Sequence, residues 1–231
     1  MFRSRRPVLM GLLGVFLVSS LAWAALTPAQ VAGRIRNKIN SKWKTTSLVV
    51  NVVPLADPTE TAKGHFKSIC VSAAAVYIHD IKMAPVKMSA TDVTLDLNQL
   101  VRQNTVVTKK RKTGHFFAKA SENDLNKALK RKKNSIQNLH MTLGNGTLTF
   151  TGTYKFGIGA NLKLTGRLEC PDHYRVNFVP TKASVNGVPL PAGPLKGVLS
   201  KMNPLLDFRK LPLSPRIEKV LVQPGMLTMS G

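Results

Sequence analysis

Acidic residues are scarce in this chain. Only 11 Asp and Glu stand against 34 Lys and Arg, a formal net charge of +23 over 231 residues. So few carboxylates leave little for glycosidase-like acid and base chemistry: Asp92 with Asp96, or Glu169 with Asp172, lie on strands or turns with no reason to converge. Histidines are few and scattered, and His65, His79, His115, His140 and His173 show no HxH or HExxH spacing. The adjacent His79 and Asp80 read as facing opposite sides of a strand, a poor base pair. No GxSxG elbow, Walker loop or helix-opening GxGxxG occurs, and Gly157-Ile158-Gly159 reads as a bend between strands. Enzyme chemistry, metals and cofactors thus find no support. Cys70 and Cys170 are the whole cysteine complement, without a CxxC, so a redox role is excluded and a structural zinc site has too few ligands. Beyond Leu26 no apolar run is long enough to span a bilayer.

What the chain does have begins at its first residues. Arg3, Arg5 and Arg6 precede an apolar run from Val8 to Val18, followed by Ala22-Trp23-Ala24. A basic start, an apolar middle and a small-x-small site make residues 1–24 a secretory signal and the protein an exported one, of the periplasm or cell envelope. Pro7 to Leu26 is also apolar enough to stay as a membrane anchor if the site is not cut. Export removes nucleic acid as the natural partner of the charge. The basic runs also lack the interleaved aromatics that stack bases. Cleavage after Ala24 would lower the charge only from +23 to +20, which suits anionic headgroups or envelope polymers. In an oxidising compartment the cysteine pair favours a disulfide over two buried thiols, since closing a loop of about 100 residues is worth about 4 to 5 kcal/mol.

The remainder, 27–231, reads as one domain. Thr27, Pro28 and Gln30 form a capping box that starts a helix running to about Trp43, with Val31, Ile35, Ile39 and Trp43 on one face. Strands follow at Leu48 to Val53, Ile69 to Ile78 and Val93 to Leu97, with a helical turn from Asn98 to Arg102. Lys109-Lys110-Arg111-Lys112 reads as a hairpin tip. Ser121 caps a helix from Glu122 to about Arg131, striped by Leu125, Ala128 and Leu129 and ending in Lys130-Arg131-Lys132-Lys133. Leu139, Met141 and Leu143 alternate into Gly144-Asn145-Gly146, a hairpin turn that also explains the Asn145-Gly146-Thr147 sequon. Leu148, Phe150 and Tyr154, then Leu162, Leu164 and Leu168, then Val176 and Phe178 place apolar residues on one face of an antiparallel meander. Leu195, Val198, Leu199 and Met202 recur at helical spacing, and Pro204 ends that helix. Two strands, Ile217 to Val222 and Met226 to Met229, close the chain. The expectation is an α+β fold with three helices and about nine strands.

The order of these pieces carries a resemblance. Ser121-Glu122-Asn123-Asp124-Leu125-Asn126-Lys127-Ala128-Leu129, the strand pair from Gly146 to Gly166, Val185-Asn186-Gly187-Val188-Pro189-Leu190-Pro191, Asn203-Pro204-Leu205-Leu206-Asp207 with Leu211-Pro212, and the strand after Gly225 are similar to the bacterial LmeA-like phospholipid-binding family over most of 27–231. The resemblance implies a TULIP-like fold, a curved, mostly antiparallel sheet wrapping amphipathic helices around an apolar groove for acyl chains. It implies no catalytic residues. The chain's own pattern offers Phe150, Tyr154, Leu162, Leu164 and Phe178 from the sheet, and Leu195, Val198, Leu199 and Met202 from the helix, as lipid contacts. Lys109, Lys110, Arg111 and Lys112, with Lys130, Arg131, Lys132 and Lys133, are the candidate contacts to headgroups or a membrane surface. The partner expected is therefore an anionic phospholipid. A basic scaffold that binds anionic polymers around a dry core, and a hydrolase assembled from separate strands, are the alternatives.

Overall fold

The computed structural model describes residues 26–231 except 79, 132–135, 155–158, 192–198, 201–202, 210 and 214. The signal or anchor at residues 1–24 and 7–26 therefore lies outside the described residues, save for Leu26. Within them no helix is long and apolar enough to cross a membrane.

Helix α1 (Pro28–Lys42) starts as its sequence requires: the Thr27 side chain accepts from the Gln30 amide at 3.2 Å and Gln30 accepts from the Thr27 amide at 2.9 Å. Val31, Ile35 and Ile39 are buried and Trp43 is half-buried at the C-cap. The chain then passes through β1 (Thr45–Thr46), β2 (Val49–Pro54), the short helix α2 (Pro58–Ala62), β3 (His65–Ala73), β4 (Ala75–Ile78), β5 (Ile81–Met83), β6 (Val86–Leu95), α3 (Leu97–Arg102), β7 (Thr108–Lys110) and β8 (Thr113–Ser121). Asp57 caps α2 through the Thr59 amide at 2.8 Å, with Pro58 in the first turn. The expected strand from Ile69 to Ile78 is two strands. At Ala74 the chain leaves β3 for a second partner, the Ala74 amide bonding to the Thr46 carbonyl, and β4 joins a small sheet of order β1-β4-β5. Asp80, at φ +67° between β4 and β5, sits in a turn and not on a strand; His79 lies outside the described residues.

Helix α4 (Glu122–Arg131) begins and ends where its caps and charges say, with Ser121 accepting from the Asp124 amide at 3.1 Å. After it come β9 (Ile136–Leu143), β10 (Leu148–Tyr154), β11 (Ala160–Glu169), β12 (Arg175–Val185), β13 (Val188–Pro189), β14 (Leu206–Asp207), β15 (Lys219–Gln223) and β16 (Met226–Ser230). The helix expected from Leu195 to Met202 falls mostly outside the described residues; Leu199 and Ser200 are helical.

Every strand pairing is antiparallel, and the architecture is α+β as expected. The strands do not form one sheet. A seven-stranded sheet runs β15-β16-β8-β6-β3-β2 with β7 on β6, and a six-stranded sheet runs β13-β12-β11-β10-β9 with β14 on β12. No sheet closes into a barrel among the described residues. One cluster of buried apolar side chains draws on all three sheets, anchored by edge-to-face pairs Phe116–Phe208 at 5.3 Å and Phe150–Phe178 at 5.0 Å.

Two asparagines tie this cluster to its surroundings. Strand β9 is the edge of its sheet, yet Asn126 of α4 accepts from the Met141 amide and donates to the Met141 carbonyl, both at 2.7 Å. Glu122 accepts from the Leu143 amide at 2.7 Å, so α4 completes an edge that has no further strand. Asn203 does the same for Phe178 of β12, at 2.8 and 2.9 Å.

Candidate functional site

The inner faces of the two larger sheets approach each other beside α4, and the seam between them is lined by apolar side chains. Leu125, Ala128 and Leu129 come from α4, which presents them because they recur every three to four residues. Met141, Leu143 and Leu148 come from β9 and β10, where alternation turns them inward. Leu168, Val176, Leu205 and Leu206 close one side, with Ile81 and Leu227 from the other two sheets. The space they enclose is about 30 Å³, room for a water or two and not for an acyl chain. The apolar groove expected from the sequence is thus narrow at this seam among the described residues.

Five of the residues expected to touch lipid belong to the same buried cluster as the seam. Phe150, Leu162, Leu164 and Phe178 are buried on the inner face of the six-stranded sheet, and Leu199 packs half-buried against the same cluster. Leu195, Val198 and Met202, and the Tyr154 side chain, lie outside the described residues. Ile81, Leu205, Leu206 and Leu227, which also line the seam, come from short segments with little periodicity to read.

The basic candidates divide between two places. Lys109 and Lys110 belong to β7, Lys110 opposite Thr94 of β6, and the chain reverses at Arg111 and Lys112 into β8. Lys109 pairs with Asp96 at 3.1 Å, and Arg111 donates to the Leu213 carbonyl, so the tip is tethered. Lys130 and Arg131 are exposed at the end of α4, beside β9; Lys132 and Lys133 lie outside the described residues.

The expected disulfide between Cys70 and Cys170 is not formed, and both thiols are free. Cys70 points outward from β3 between buried Ile69 and Val71, in the seven-stranded sheet. Cys170 follows β11 in the other sheet and is half-buried, and burial pushes its thiol pKa up.

The candidate carboxylates each have partners of their own among the described residues. Asp96 caps α3 through the Gln99 amide at 3.0 Å. Glu169 is held by Arg167 at 2.6 Å, and Asp172 accepts from the Arg175 and Tyr174 amides and the Arg175 guanidinium, which hold its carboxyl at about 2. Two carboxylates do converge on one histidine. His65 meets Glu60 of α2 through Nδ1 at 3.0 Å and Asp92 of β6 through Nε2 at 2.5 Å, and these bonds, Glu60 first, raise its pKa above the ordinary value. A ring bonded to a carboxylate at both nitrogens is held as the cation and has no lone pair for base catalysis. Among the described residues no group of three or more His, Cys, Asp or Glu is placed to hold a metal ion.

The family model described as LmeA-like phospholipid-binding matches residues 22–231. No curated protein and no solved structure matches the chain.

Proposed function

This chain belongs to the LmeA-like phospholipid-binding family, and from that premise we propose that it is an exported cell-envelope protein that holds the acyl chains of an anionic phospholipid along the seam beside α4. It works as a lipid carrier or as a stabiliser of membrane-associated envelope biogenesis. The observation that carries this reading is the seam itself: side chains from α4 and all three sheets converge there, and every one of them is apolar. A volume of about 30 Å³ means that loading separates the walls, and the apolar surface exposed on opening is what acyl chains would cover. The basic residues at 109–112 and 130–133 lie against the headgroups of the membrane surface, each worth about 1 kcal/mol near anionic lipid. Retained, residues 7–26 keep the protein at one membrane; cleaved, the body ferries lipid.

Native mass spectrometry after mild extraction tests this. The expected result is a co-purifying phospholipid, and protein free of lipid that also ignores anionic liposomes at low salt overturns the reading. The small volume of the seam favours a second reading, a basic scaffold for anionic envelope polymers or membranes around a core that never opens. It requires salt-sensitive liposome or polymer binding with no lipid inside the fold.

A further inference from the structure

A groove of about 550 Å³ separates α1 from β2, away from the seam. Three consecutive strand residues, Val50, Asn51 and Val52, line it, so the edge of the strand and not merely one face turns toward it. Strand β2 ends the seven-stranded sheet and pairs only with β3, which leaves its outward amides and carbonyls without a strand partner. The opposite wall is one helical stripe, Ala29, Ala32, Gly33 and Arg36. A Cβ added at Gly33 would meet no atom within 4 Å. Glycine inside a helix costs roughly 0.5 to 1 kcal/mol relative to alanine, and no close packing here requires it. Gly33 leaves this wall of the groove open.

Charge says what the space fits. Arg36 is the one cation in the lining; it is exposed and outside every ion pair of the described residues. Helix α1 has no carboxylate, and Arg34, Lys38 and Lys42 keep its surroundings positive. An arginine fork beside open backbone amides suits a phosphate with hydrogen-bonding substituents. Position agrees with this chemistry: the apolar sequence from Pro7 ends at Leu26, two residues before Pro28 on the groove's rim. A membrane-held N-terminal segment would set the groove's mouth at the level of the headgroups.

We infer that the groove between α1 and β2 is a headgroup site, in which Arg36 holds the phosphate of an anionic phospholipid and the open edge of β2 bonds its polar substituent. This rests on the phospholipid reading above. It adds a headgroup site for a second lipid molecule, since one phospholipid cannot place its acyl chains in the seam and its phosphate in a groove away from it.

Isothermal titration of the purified full chain with short-chain dihexanoyl phosphatidylglycerol, dihexanoyl phosphatidylcholine and inorganic phosphate tests it. Arg36→Gln and Gly33→Leu should each weaken phosphatidylglycerol binding tenfold or more, and Lys87→Gln on the outer face of β6 should leave it unchanged. Leucine raises helix propensity at position 33, so that variant blocks the groove in a folded protein, which thermal melts monitored by circular dichroism check. Unchanged affinity in both variants overturns the headgroup site while the phospholipid reading stands. Inorganic phosphate bound as tightly as the lipid overturns the lipid assignment of the groove. A wild-type chain that binds neither lipid, and carries none on extraction, overturns both readings together.

Discussion

Replacing Asn126 by alanine should cost the fold far more than a surface asparagine would. Asn126 is 8% exposed and its amide makes three bonds: to the Met141 amide at 2.7 Å, to the Met141 carbonyl at 2.7 Å and to the Glu122 carbonyl at 3.0 Å. Truncation leaves the Met141 amide and carbonyl without a partner beside a residue that is itself buried. Each stranded backbone group costs about 1 to 3 kcal/mol, while the better helix propensity of alanine returns about half a kcal/mol. The net loss should be about 2 to 5 kcal/mol, a large share of the roughly 5 to 15 kcal/mol that holds a typical domain. Urea titration followed by circular dichroism should show a lower midpoint with an unchanged slope. Hydrogen exchange should show the Met141 amide losing protection ahead of its neighbours on β10. A loss below about half a kcal/mol, or an unchanged exchange rate at Met141, would refute the reasoning that α4 supplies the bonds of this strand edge.

Other perturbations follow from the same geometry. Phe150→Ala removes one ring of the edge-to-face pair with Phe178 at a fully buried site and should destabilise by about 3 to 5 kcal/mol, read as a drop in melting temperature. His65 is bonded by Glu60 and Asp92 and its pKa is raised, so the stability it adds is complete below its unfolded value near 6.5 and fades as pH rises through the folded value. His65→Gln should therefore lower the melting temperature at pH 5.5 and match wild type at pH 9; an equal deficit at both would show that the charge plays no part. Thiol titration of the native protein should find two free groups, Cys70 reacting at once and half-buried Cys170 slowly, and one intact disulfide would contradict the arrangement.

Much of the fold is legible because its signals are local. The Thr27 capping box, the Ser121 cap and the alternation of Leu139, Met141 and Leu143 each specify their element within a few residues, and all three appear where the pattern puts them. Asp57-Pro58 carries an equally local helix signal, a capping carboxylate followed by a first-turn proline, in a stretch otherwise made of strands. The division into three sheets is not local. Nothing between Ile69 and Ile78 marks Ala74 as the point where the chain changes partner, because what decides it is the carbonyl of Thr46, far back in the chain. The seam shares this difficulty, since Ile81 and Leu227 meet α4 only after the sheets assemble. Asn126 and Asn203 lie between these cases. As sequence they were two positions in a familiar order, and only coordinates reveal that each does for a buried strand what a neighbouring strand would do.

The closure of β9 by α4 also bears on self-association. An uncovered strand edge invites a second copy to pair with it, and β9 is denied that contact by side chains of its own helix. The same asparagine that supports the monomer thus guards against its polymerisation. Loss of Asn126 would expose a ready template at the moment the fold is weakened, so aggregates seeded at β9 are the expected fate of chains whose α4 has let go.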